Sequence, residues 1–155
     1  NGNSASGTPD FEYFYPGDEY VDFLGLTAYH FGYCDAVDPQ YQGWLTPEVA
    51  IGTYLDRLIA LSPDKEIILA QTGTTAMTEY GMDDSAKNAW LVDMYEYLSG
   101  YSQLHAVNYY NRWESDCDWA VFNPDGAKYS GYITGVSNPA YGFFTPFQQE
   151  EFFLP

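Results

Sequence analysis

Three short apolar runs set the limits on what this chain can fold into: "VDFLGLTAY" at 21–29, "EIILAQT" at 66–72 and "QLHAVNYYN" at 103–111. Each is apolar across both alternating faces and is bounded by polar turn residues. Such runs suit strands buried on both sides, the habit of parallel sheets. Parallel strands need long crossovers, and the intervening sequence supplies helices. "TPEVAIGTYLDRLIAL" (46–61) opens with Thr46 as N-cap and Pro47 in the first helical position. Its Val49, Ile51, Leu55, Leu58, Ile59 and Leu61 recur at helical spacing. "DSAKNAWLVDMYEYLS" (84–99) puts Ala89, Leu91, Val92, Tyr95 and Leu98 on an inner stripe, and Gly100 stops it. A third helix is expected over 127–136. Strand and helix thus alternate three times, which predicts an α/β fold with a parallel sheet.

The polar residues gather at one end of these strands. Thr27, Tyr29 and His30 close the first run, Gln71, Thr72 and Thr74 the second, and Asn108, Tyr109, Asn111 and Trp113 the third. Long loops follow all three. In parallel-strand folds, function sits at the C-terminal strand ends. No GxGxxG or GxxxxGK[ST] follows a strand, so the nucleotide-binding versions lose support and no cofactor is expected.

At 155 residues the chain can hold one domain with a core. Twenty-two acids against five bases give a formal net charge of −17. That charge disfavours nucleic acid and anionic membrane surfaces as partners. The acids are scattered, and the "DEYVD" and "DAVD" groups read as a solvated face, so no metal site is expected. No run of 18 apolar residues occurs, so no membrane span is expected. The start, "NGNSASGTPDF", has neither the basic start nor the apolar run of a signal peptide, and without an initiating Met it reads as a processed piece. No N-x-[ST] sequon is present. Cys34 and Cys117 show no zinc spacing; they are free to pair in an oxidising compartment or to stay reduced. Sixteen tyrosines and four tryptophans suit surfaces that bind amphipathic ligands such as sugars, and equally suit aromatic packing.

"FYPGDEYVDFLGLTAY", "EIILAQTGT", "KNAWLVDMYEYL" and "LHAVNYYNRWESDCDWAVF", in this order, resemble the last three βα units of glycoside hydrolase family 26, the β-mannanases and related endo-glycanases. The resemblance covers roughly residues 11–141. It implies the C-terminal three βα units of a (β/α)8 TIM barrel, strands six to eight, incomplete in this chain, since a full barrel takes about 250 residues. Residues 1–143 would form the partial barrel, and 144–155 a Pro- and Phe-rich tail that packs onto something. The fourth-strand acid/base lies outside this sequence. Gln71 falls where the family carries its strand-seven nucleophile, a Glu. A neutral amide is a poor nucleophile and does not stabilise an oxocarbenium-like transition state as an anion does.

The resemblance also implies that Tyr29 hydrogen-bonds position 71. Tyr109 would be an aromatic platform under the sugar, with Trp113 and Trp44 extending it. His30 and Asn108 are further candidates for the cleft. On this reading the chain is a catalytically impaired module for carbohydrate binding, or a structural part of an extracellular assembly. The alternative is a fragment of a retaining endo-β-mannanase or glucanase with its nucleophile replaced. The expected partners are a β-linked polysaccharide or oligosaccharide and another chain or fragment that completes the barrel. The expected location is outside the cell.

Overall fold

The structure, a computed structural model, describes residues 10–123 and 126–142. Three parallel strands make its sheet: β1 (Phe23–His30), β2 (Glu66–Thr74) and β5 (Leu104–Tyr109), in the spatial order β1-β2-β5. The tail expected to pack, 144–155, lies outside the described residues.

Thr46 caps the first crossover. Its hydroxyl accepts from the Val49 N–H at 3.4 Å and its carbonyl from Ala50 N–H at 2.9 Å. The chain winds through a wide π-helical turn (Glu48–Gly52) before tightening into α1 (Thr53–Leu61). A two-stranded hairpin, β3 (Met77–Thr78) with β4 (Gly81–Met82), follows β2. Then comes α2 (Asp84–Leu98), whose first turn is capped by Asp83 accepting from Ser85 and Ala86 N–H. After β5, a long loop and the small hairpin β6 (Phe122–Asn123) and β7 (Gly126–Ala127) lead to α3 (Ser130–Val136). Gly131 and Gly135 let α3 press against Asn88 and Tyr95 of α2, where a Cβ has no room.

One face of the sheet is buried. Leu24, Leu26, Ala28, Ile67 and Leu69 meet Ile51, Leu55 and Leu58 of the first crossover and Trp90, Met94, Tyr95 and Leu98 of α2. Both crossovers therefore lie on the same side. Helices on one side only are consistent with a segment of barrel wall, whereas a doubly wound sheet has helices on both faces. The other face, inward in a barrel, is open around Gly25, Gln71 and Asn108.

The inner stripe of α2 is rotated from its expected position. Lys87, Trp90 and Met94 are buried along with Leu91, Tyr95 and Leu98, while Ala89 is exposed and Val92 half-buried. A lysine and a methionine have stems long and apolar enough to enter a core that hydropathy alone assigns to smaller residues.

Candidate functional site at the C-terminal strand ends

Gln71 owes its place to an irregularity. Leu26 pairs with Leu69, but Thr27 pairs with Gln71, so Ala70 is one residue too many on β2. This bulge turns Gln71 to the open face beside Thr27 and Tyr29, whereas strict alternation would send it toward the helices. The Tyr29 hydroxyl donates to Gln71 Oε1 at 3.3 Å. Burial pushes the Tyr29 hydroxyl above the usual tyrosine range, with Tyr110 and Glu114 adding to the effect, so it remains a donor at neutral pH. Next along β2, Gly73 lies under the Tyr29 ring and Trp119. A Cβ there would sit 3.1 Å from both.

The third strand is out of step with expectation by one residue. Tyr109 pairs with Thr72, a helix-side residue, and packs on Tyr132 of α3 with its hydroxyl against the Thr74 backbone. Tyr109 is thus a wedge between sheet and helices in this chain. The open face instead receives Tyr110, which meets Tyr29 edge-on at 6.0 Å and bonds β2 through its N–H to the Thr72 carbonyl at 2.8 Å. Asn108 is exposed on that face. Trp113 stands 69% exposed on the following loop.

His30 and Trp44 lie elsewhere. His30 is fully buried, stacked on Trp90 at 4.7 Å with the Trp44 ring edge-on at 4.6 Å. Its Nε2 accepts from the Leu45 N–H at 3.1 Å. Nδ1 therefore carries the proton and donates to Thr74 Oγ1 at 2.8 Å. Burial pulls the ring pKa down to about 4. Protonation would cost Nε2 its acceptor role and put a charge in the core. Because the folded value lies below the unfolded one, His30 supports the fold fully above pH ~6.5, and that support is lost as pH falls through about 4. We expect a loss of about 3 kcal/mol across that window, read from urea midpoints. His30→Gln should flatten the pH dependence between pH ~6.5 and ~5, where few carboxylates titrate. An unchanged slope would remove His30 as the cause.

The three loops at this end are tied together. Cys34 and Cys117 form a disulfide, both buried, which joins the loop after β1 to the loop after β5. The Tyr33 N–H donates to the Met77 carbonyl at 2.9 Å and joins the first loop to the β3–β4 hairpin. Gly32, at φ +54°, permits that approach, since a side chain there would strike Met77 and Thr75. Trp119 closes the centre, with its ring 4.9 Å from Tyr29 and 5.4 Å from Phe31.

From beneath, α2 holds two of these loops. Trp90 Nε1 donates to the Leu45 carbonyl at 2.8 Å on the β1 side. Lys87, fully buried, donates to the carbonyls of Asp118 at 2.8 Å and Ala120 at 3.1 Å on the β5 side, with Tyr129 beneath its ammonium. These roles were hidden in the sequence, because Lys87 and Tyr110 look like ordinary surface and strand residues. No group of three or more potential metal ligands occurs among the described residues.

No family model matches the chain, and no curated protein matches it either. Among solved structures it is similar to a GH128 (subgroup VI) exo-beta-1,3-glucanase from Aureobasidium namibiae, with a TM-score of 0.52 and 13% identity over 79% of this chain and 44% of that one. It is also similar to a mutant GH128 (subgroup I) endo-beta-1,3-glucanase from Amycolatopsis mediterranei in complex with laminaritriose and laminaribiose, with a TM-score of 0.49 and 15% identity over 76% and 46%. The first likeness shows a shared fold, a unit of parallel strands and helices. The chain spans less than half the length of either protein. The first is a GH128 glucanase, so its likeness does not single out family 26.

Proposed function

We propose that this chain is a catalytically impaired module of family-26 pattern that binds a β-linked oligosaccharide or polysaccharide without cleaving it, or serves as a structural part of an extracellular assembly. One observation carries the reading. An amide, Gln71, occupies the strand-end position turned to the open face by the Ala70 bulge and bonded by Tyr29. Tyr29, Gln71, Asn108, Tyr110 and Trp113 offer ring faces and neutral hydrogen-bonding groups suited to sugar hydroxyls. The disulfide favours a place outside the cell, where such bonds persist. No helix of the described residues is long and apolar enough to cross a membrane.

The open sheet face and the outer edges of β1 and β5 need covering, by the rest of a barrel in the same polypeptide or in another chain. The alternative function is a fragment of a retaining endo-β-mannanase or glucanase whose nucleophile has become Gln71. One set of measurements separates these readings. Calorimetric titration with mannan and glucan oligosaccharides should show heat of binding but no release of reducing sugar. Gln71→Glu, assayed with the completing half of the barrel, should stay inactive. Recovered hydrolysis would establish the alternative, and no binding of any glycan would leave only the scaffold role. A compact, stable monomer in sedimentation velocity would remove the need for a completing partner.

A further inference from the structure

Glu114 is a carboxylate gathered into this aromatic end of the sheet. Tyr110 OH donates to its Oε1 at 3.3 Å, Trp119 Nε1 donates to its Oε2 at 3.3 Å, and Arg112 Nε lies 3.3 Å from Oε1. Both oxygens are therefore held, and the group keeps a fixed position although its side chain is 40% exposed. It is close enough to Tyr29 to act on that hydroxyl. Through Tyr29, the influence of Glu114 reaches the hydroxyl that bonds Gln71.

The residue between the ion pair is Trp113, with its ring in solvent. The surrounding loop is well anchored. Trp119 N–H donates to the Arg112 carbonyl at 3.1 Å, and Asn111 Oδ1 accepts from Val121 and Phe122 N–H at 2.8 and 3.0 Å. A ring held in water on an anchored loop is a ready stacking surface, and the flanking pair presents donors and acceptors together.

We infer that Glu114, fixed by Tyr110, Trp119 and Arg112 beside Trp113, is a specificity-determining residue that selects neutral sugars and rejects uronate-bearing ones. The inference rests on the glycan-binding reading above. Each hydroxyl of a neutral sugar both donates and accepts, so it can use Glu114 and Arg112 at once. A sugar carboxylate can use only Arg112, and it meets Glu114 as a like charge already committed to three neighbours. A repulsive contact of this kind gives discrimination where attraction alone does not.

The test uses two ligands that differ only at C6, β-1,4-mannotriose and β-1,4-trimannuronate. Calorimetry on the intact chain should show mannotriose bound at least about tenfold more tightly, the size of one like-charge contact near a protein surface. In Glu114→Gln, discrimination should fall by about tenfold, through tighter binding of trimannuronate. Glu48→Gln, at the start of the first crossover, removes the same charge elsewhere and should leave discrimination intact. Equal discrimination in wild type and Glu114→Gln overturns the inference and leaves the glycan reading standing. If wild type binds neither trimer, nor any other glycan, the underlying reading fails with it. Should Glu114→Gln misfold by circular dichroism, Arg112→Gln takes its place, with discrimination expected to widen; an unchanged or narrowed ratio then overturns the inference.

Discussion

Reducing the Cys34–Cys117 disulfide, or replacing both cysteines with serine, lowers the free energy of unfolding by about 4 kcal/mol. The magnitude comes from the span of the link. The two residues are 83 apart in sequence, so the bond removes a large share of the unfolded chain's freedom. The loss should show as a fall in urea midpoint with and without reductant, and with a steeper slope once the bond is gone, because the unlinked denatured chain exposes more surface. A drop below about 1 kcal/mol would mean that the loops are held without the bond. Amide exchange should quicken first in the loop after β1 and around Trp119, since these are what the bond joins.

The second large effect belongs to Lys87. Changing it to methionine keeps the stem and removes the ammonium that bonds the Asp118 and Ala120 carbonyls. Two carbonyls lose a charged donor, and the Tyr129 ring loses the cation against it. Stability should fall by about 3 kcal/mol. Burial pulls Lys87 down to about 8, with the Asp118 carboxylate opposing. Between about pH 8 and pH 10.5 the unfolded chain binds more protons at this site than the native one does. The Lys87 contribution therefore grows as pH rises through that window. Comparing wild type and Lys87→Met from pH 8 to pH 10 checks the sign: the gap between them should widen with pH, and a constant gap would show that Lys87 titrates normally.

The course of the chain was legible because its signals are periodic. The three apolar runs became the three parallel strands, and Thr46 and Pro47 began the first crossover where capping chemistry places them. What escaped was everything that turns on a single residue. The surplus Ala70 on β2 leaves no mark in composition, yet it decides which way Gln71 faces. A one-residue shift exchanges the faces of Tyr109 and Tyr110, and both are tyrosine, so the sequence offers no contrast to choose between them. His30 follows Tyr29 and so points the opposite way along the strand, into the core, where Trp90 and Thr74 hold it. Lys87 was illegible for another reason. Its charge marks it as a surface residue, and only the folded loop supplies the carbonyls that let it stay inside.

Lys87 and Trp90 are one helical turn apart on α2, yet one holds the loop beyond β5 and the other the loop beyond β1. The helix works as a spacer bar. If α2 slides along the sheet, it carries both loops the same way, and the gap between them keeps its width. Thermal motion of the helix then shifts the mouth as a whole without opening or pinching it.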